Sequence, residues 1–501
     1  MLFNSTSYVL FLPISVILYF VLPQKFRNIF LLAASYYFYM CWMPQYAILI
    51  GFSTVATWLT GWWLEKTTHT TKRKWVLGAN IVINLAILFV FKYYNFFAGA
   101  IEILTGNSIS MYKSSLLLPV GISFYTFQAL GYSIDVYKGP DNGGVRHEKN
   151  FINYALFVSF FPQLVAGPIE RSANLLPQFR EKHNFSVENA TEGLRIILVG
   201  MFKKIVIADM LALVVDKIFS TYTQLNGLTL LLGIFFFTIQ IYCDFSGYSD
   251  VARGSALLFG FRLMENFKAP YMSTSIKEFW GKWHISLSTW FKDYVYIPLG
   301  GSRVGEGRKY INLMVIFLLS GIWHGANYTF ILWGILHGIY RVIEEFVCKH
   351  IKIKFRILPG KLVAIFKTAF VFCMVMLFWT YFRADNLAQG NYFITHFFSN
   401  LNVKSFQVCV NEFRSIAQVV MANIAGLGEI YRGIIWISIL LLGITDWCYK
   451  YCGKSVSQMV AKLPGFFRWF CYYGMIILIM FSFIMTTNEY GQAGAFLYFQ
   501  F

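Results

Sequence analysis

The chain has 501 residues, 57% of them hydrophobic and 13% charged, with a formal net charge of +18. An average soluble domain is about one quarter charged, and this chain repeats apolar runs of about 20 residues, so a soluble globular protein is excluded and a polytopic membrane protein is predicted. The basic excess gathers in loops flanking those runs, where membrane insertion requires it, which argues against a nucleic-acid partner.

Residues 1–7 carry no basic side chain, and no small-x-small cleavage site follows, so 8–22 is read as a spanning helix that stays. Further runs occupy 28–42, 46–64 and 75–97. Lys25 and Arg27 join the first two, the turn 43–45 is uncharged, and 65–74 carries four basic side chains. Basic loops lie inside, which puts the N-terminus outside. The segment 117–137 is apolar but interrupted by Pro119 and Gly121, as in a re-entrant or kinked element. Longer, broken runs follow at 151–169, 194–219 and 228–259.

Within the last of these, IQIYCDFSGYSDVARG places Asp244, Asp250 and Arg253 in an apolar setting. Asp250 and Arg253 are spaced to pair on a helix, and Ser246, Gly247, Ser249 and Gly254 permit close helix approach. A polar clip between helices is the favoured reading of both aspartates; Asp244, with no local partner, is also a candidate substrate-binding residue. In 273–303, Ser275 and Glu278 form a capping-box pattern, and Trp280, Trp283, Trp290, Tyr294 and Tyr296 alternate with Lys277, Lys282 and Lys292. That mixture suits a membrane interface, and His284 by itself reads as an interfacial histidine.

The run 310–347 is 38 residues long, about 57 Å as one helix against a hydrocarbon core of about 30 Å. It must fold back, and Gly325-Ala326-Asn327 is the place. Arg308 and Lys309 start the first arm inside, so the turn points outward. Residues 310–324 span only about 22 Å. His324 therefore ends below the outer surface, at the foot of a depression, and an ionisable group at that depth is a functional candidate. His337, halfway along the second arm, reads as structural, packed beside Gly334 and Gly338.

Runs at 362–381, 434–447 and 470–485 complete the chain. Lys349, Lys352, Lys354 and Arg356 form an inside loop, 384–430 is outside, Lys450, Lys454, Lys462 and Arg468 return inside, and the tail ends outside. The eight cysteines form no C-x-x-C pair, and no metal site is expected. Elbow, zinc-helix and phosphate-loop signatures are absent. The expectation is one all-α polytopic domain over 1–501, with about 11–13 helices plus re-entrant elements.

Five motifs then occur in order within a core of about 117–340: LLPVGISFYTFQ, FFPQLVAGPIE, YCDFSGYSDVARG, EFWGKWHISLSTWFKDYVYIPLGG and SGIWHGANYTFILWGILHG. Together they resemble the membrane-bound O-acyltransferase superfamily, and within it the integral-membrane subunit of alginate-type O-acetyltransferases. The resemblance implies a central funnel and tunnel in a bacterial inner membrane. Acyl transfer would run from a cytoplasmic thioester, acetyl-CoA, to an exported polysaccharide or an extracytoplasmic SGNH-hydrolase-like partner. No bound cofactor is implied, and membrane lipid is the other expected partner. The family's catalytic histidine falls at His324 in Trp323-His324-Gly325, and its second motif histidine at His284 in Trp283-His284-Ile285-Ser286. Trp283, Trp323, Asn327 and Asp244 are the expected substrate-binding residues. Relatives commonly carry two arginines where this chain has Gly281 and Lys282, which weakens any hold on a donor phosphate there. A buried, neutral His324 would act as general base, with His284, or less directly Asn327, steadying the oxyanion. The competing expectation is a transporter or flippase for a lipid-linked sugar or an acyl donor.

Overall fold

The computed structural model describes residues 1–105, 118–165, 167–351, 359–399, 402–421, 428–490 and 497. Lys352, Lys354 and Arg356 of the expected inside loop, and most of the C-terminal tail, lie outside the described residues. Every regular element among the described residues is helical. Among the described residues, six helices are long and apolar enough to cross a membrane: Pro44–Lys66, Thr70–Glu102, Gly227–Leu258, Gly360–Arg383, Gly428–Cys452 and Gly465–Thr487. Shorter apolar helices include Thr6–Val21 and Phe151–Leu164. The chain is thus all-α and polytopic.

Two compact units divide it: Met1–Ile197 with Val251–Glu265, and Leu198–Asp250 with Asn266–Phe501. In the first, helices Ala47–Lys66 and Thr70–Leu88 pack on Ile122–Lys138, nearly all of whose residues are buried. That helix starts where 117–137 was expected to kink. Gly121 has φ +75°, and a Cβ there would lie 2.7 Å from the Leu164 carbonyl oxygen, so only glycine fits the break. Side-chain pairs knit these apolar helices: Ser53 Oγ donates to Asn84 Oδ1 at 2.6 Å, and Asn80 Nδ2 to Ser133 Oγ at 3.0 Å. The run 151–169 divides into Phe151–Ser159 and the turn Phe161–Leu164, because Pro162 removes a backbone donor and restarts the helix. Gly254 makes the close approach its sequence context suggests, since a Cβ on it would lie 2.6 Å from the Gly193 carbonyl. Arg253 pairs with Glu265 at 3.5 Å.

In the second unit, the run beginning at 194 includes a π-helical stretch, Phe202–Asp209, continued by Met210–Ser220 and packed on Gly465–Tyr490. The wide turn brings Lys203 and Lys204 toward the long helix Gly227–Leu258. Lys203 pairs with Asp250 at 2.8 Å. Lys204 Nζ donates to Asp209 Oδ1 at 2.8 Å and to Asp244 Oδ1 at 2.5 Å. Gly247 permits this, because a Cβ there would lie 2.7 Å from the Gly200 carbonyl oxygen.

The run 310–347 folds back as its length requires. Glu306–His324 and Tyr328–His350 form a helical hairpin with its turn at Gly325-Ala326-Asn327. The arms touch backbone to backbone. A Cβ on Gly321 would sit 2.4 Å from the Phe330 carbonyl, and one on Gly334 would sit 2.4 Å from that of Phe317. Small residues at the crossing are what let apolar helices approach this closely.

Candidate active site

His324 is the last residue of the first arm and is 3% exposed. Its ring is held by three aromatic rings: Trp323 at 5.0 Å, Trp333 at 5.0 Å and 89°, and Phe382 at 5.1 Å and 74°. Trp333 comes from the second arm and Phe382 from Gly360–Arg383, so three helices fix one imidazole.

His284 reaches the same neighbourhood by a different route. The segment before it is a five-residue helix, Ile276–Trp280, whose N-terminus is capped twice. Ser275 Oγ accepts from Glu278 N at 3.0 Å, and Glu344 of the second arm accepts from Ile276 N and Lys277 N at 2.7 and 3.1 Å. Only half of the expected box forms, for the Glu278 carboxylate accepts from Thr274 N and Oγ1 instead. His284 then takes φ 43° and ψ 55°, a left-handed conformation that costs a non-glycine residue about 1–2 kcal/mol. Asn266 enforces it: its carbonyl accepts from Ile285 N at 3.0 Å and its Oδ1 from Ser286 N at 3.1 Å. Strain of this kind concentrates at functional sites. The result is a fully buried imidazole, 4.6 Å from the Phe245 ring at 90° and 5.9 Å from Trp323 at 61°. The interfacial reading of His284 is corrected. His284 belongs to none of the six candidate spans, and burial pushes its pKa down from 6.5 to about 3, so the ring is neutral.

Trp323 therefore touches both histidines. The imidazole centroids can be no farther apart than those two ring distances together. Trp283, adjacent to His284, packs on Trp379 at 5.0 Å, and Trp379 stacks on Trp333 at 5.6 Å, closing a buried wall of indoles. His337 lies behind that wall, fully buried, with Trp333 at 4.9 Å and Trp280 at 5.0 Å. It packs as an aromatic disc.

Two expected substrate-binding residues are committed to the protein itself. Asp244 accepts from Lys204 with one oxygen and from Leu497 N, at 2.9 Å, with the other. Asn327 caps the second arm: its Oδ1 accepts from Thr329 N at 3.1 Å and its Nδ2 donates to the Asp385 carbonyl at 2.9 Å. The polar atoms of both side chains bond to the protein itself, and the polar-clip reading of Asp244 describes its contacts. Trp333, Trp379, Phe382 and Phe245 were not anticipated. Lys282 pairs with Glu278 at 2.7 Å.

A model of the membrane-bound O-acyltransferase family matches residues 141–383, which include both histidines and the whole hairpin. Over 392 residues the chain is 42% identical to a probable alginate O-acetylase of Pseudomonas putida, covering 77% of this chain and 78% of that one. The chain belongs to the membrane-bound O-acyltransferase family. It is 36% identical over 419 residues to a peptidoglycan O-acetyltransferase of Helicobacter pylori, 78% of each chain. It is 32% identical over 253 residues to a teichoic acid D-alanyltransferase of Streptococcus thermophilus, 46% of this chain and 58% of that one. As a member of this family the protein is a multi-pass membrane enzyme, an O-acyltransferase, and the transporter reading is set aside.

Proposed function

We propose that this O-acyltransferase moves an acetyl group from cytoplasmic acetyl-CoA to an exported polysaccharide, or to an extracytoplasmic SGNH-hydrolase-like protein that passes it on. The enzyme sits in the inner membrane with its N-terminus outside. The alginate and peptidoglycan acetyltransferases among its relatives support a glycan acceptor. The observation that carries the mechanism is the pairing of two buried histidines on one indole, one of them at the tip of a hairpin.

His324 is the general base. It takes the proton of an acceptor hydroxyl as that oxygen attacks the thioester carbonyl. A tetrahedral oxyanion forms, and a neutral imidazole N–H from His284 donates to it. The C–S bond then breaks, the O-acetyl ester is released toward the acceptor side, and the proton on His324 returns to the leaving thiolate. Donor and acceptor thus meet at one residue.

The test uses purified full-length enzyme with acetyl-CoA and a glycan oligomer. The expected result is ester formation in the wild type and its loss in His324→Ala. Near-wild-type transfer by that variant overturns the assignment. Mass spectrometry of the envelope glycans with and without the protein identifies the acceptor.

A further inference from the structure

A cavity of about 400 Å³ lies away from the histidines, between the long helix Gly227–Leu258 and the helices Gly360–Arg383 and Gly428–Cys452. Tyr242, Phe372, Leu442, Gly443, Asp446 and Lys450 line it, with Tyr271 at its back. Two of its edges, Ile365 and Trp447, are 61% and 56% exposed, so on helices that cross a membrane it is a groove open to lipid. A Cβ added at Gly443 would meet no atom within 4 Å, so the missing side chain keeps the groove open.

Its depth fits one leaflet. The lining positions on Gly428–Cys452 run from Ile439 to Tyr451, about 18 Å of helix, against about 15 Å for half a hydrocarbon core. One end carries Trp447, Lys450 and Tyr451, the residue types that mark the headgroup level. Lys450 Nζ donates to the Met272 carbonyl at 2.7 Å, which holds its ammonium at that end.

The chain that leaves that end is basic. Residues 447–487 contain Lys450, Lys454, Lys462 and Arg468 and no acidic side chain, and 346–384 contain none either. Lys454 lies close enough to Lys462 to hold its pKa below the usual lysine value, so two exposed ammonium groups crowd each other. A phosphate there would relieve that repulsion. Asp446, one turn deeper, accepts from Tyr242 Oη at 3.1 Å and opposes an anion at its own level. The headgroup is thereby confined to the basic end, with the chain below it.

We propose that this groove binds one anionic phospholipid, its acyl chain along Leu442 and Phe372 and its phosphate among Lys450, Lys454 and Lys462. Tyr242 and Tyr271 form the inner wall, and their rings pack on Trp283 at 6.1 and 5.8 Å, directly beside His284. An occupied groove buttresses one wall of the active site.

The test is native mass spectrometry of the delipidated full-length enzyme in detergent, titrated with phosphatidylglycerol or phosphatidylcholine. The expected result is one retained phosphatidylglycerol, bound about tenfold more tightly than phosphatidylcholine, a difference of about 1.4 kcal/mol. Lys454→Glu with Lys462→Glu removes that preference, and Gly443→Trp removes the adduct while elution volume and helical content stay unchanged. Equal binding of the two lipids by the wild type, a preference that survives the charge reversals, or a phosphatidylglycerol adduct that survives Gly443→Trp overturns the proposal. So does a dimer adduct in place of lipid, which would make a second copy the occupant.

Discussion

Lys204, Asp209 and Asp244 lie as deep as His284 and His324, all between 0% and 5% exposed, yet the two groups are treated in opposite ways. The first is charge against charge, with two carboxylates on one ammonium and a backbone amide on the remaining Asp244 oxygen. The second is imidazole against indole and phenyl rings. An ion pair is saturated by its partners and is costly to open, because either member left alone is a buried charge. A neutral imidazole among rings can take or give a proton to another molecule without parting two buried charges. Burial of an ionisable group is therefore a poor sign of function until its partners are known.

Two substitutions sharpen that contrast. His324→Ala is expected to lower acyl transfer about 10²–10⁴-fold, the range for a lost general base, with thermal stability nearly intact. Asp244→Asn is expected to do the reverse. It removes one of the two carboxylates on Lys204, which keeps Asp209, and weakens the hold on Leu497 N; losing charge-assisted hydrogen bonds of this kind destabilises by about 1.5–3 kcal/mol. Transfer per folded molecule stays at the wild-type level. A stable Asp244→Asn enzyme that has lost activity breaks the comparison and returns Asp244 to the substrate.

A third expectation concerns pH. The folded state keeps His284 neutral down to about pH 3, whereas the unfolded chain takes up a proton near 6.5. The unfolded state thus binds more protons below 6.5, so stability falls as pH drops through that value, by up to about 1.4 kcal/mol per pH unit. His284→Asn, which tolerates the left-handed backbone, is expected to flatten this slope in melts between pH 4 and 7. An unchanged slope would place the titrating group elsewhere.

The hairpin was legible because it followed from length alone. A 38-residue run cannot cross a 30 Å core once, and Gly325 and Asn327 are the breakers it contains. The small residues of 239–254 likewise announced close approach, and Gly247 and Gly254 make it. Pairing was less visible. Spacing suggested Arg253 as a local partner of Asp250, but the pair with Lys203 was not visible, because Lys203 comes from a π-helical stretch that helical periodicity does not anticipate. Asp244 is 40 residues from Lys204 and 253 from Leu497, a separation that no local pattern encodes. His284 was misplaced for the same reason. Its tryptophan- and lysine-rich neighbours spoke for an interface, while the rings that bury it come from Phe245 and Trp323. The motif resemblance pointed to both histidines without saying what surrounds them.

Asn327 is the smallest and cleanest test of the contrast, because it sits three residues from His324 and its side chain is wholly engaged in the turn. As an N-cap it satisfies Thr329 N, and by donating to the Asp385 carbonyl it ties the hairpin tip to the chain beyond Gly360–Arg383. Replacing an N-cap asparagine by alanine costs about 1 kcal/mol. Asn327→Ala is therefore expected to lower the melting temperature by a few degrees. Asn327→Asp, which keeps the cap acceptor, should recover most of that loss. Transfer by both variants, measured well below the melting temperature, should stay within about threefold of wild type, a barrier change of less than 1 kcal/mol. A hundredfold loss in both variants at full stability would mean that Asn327 Nδ2 leaves Asp385 to serve the oxyanion, and the assignment of that task to His284 would fail.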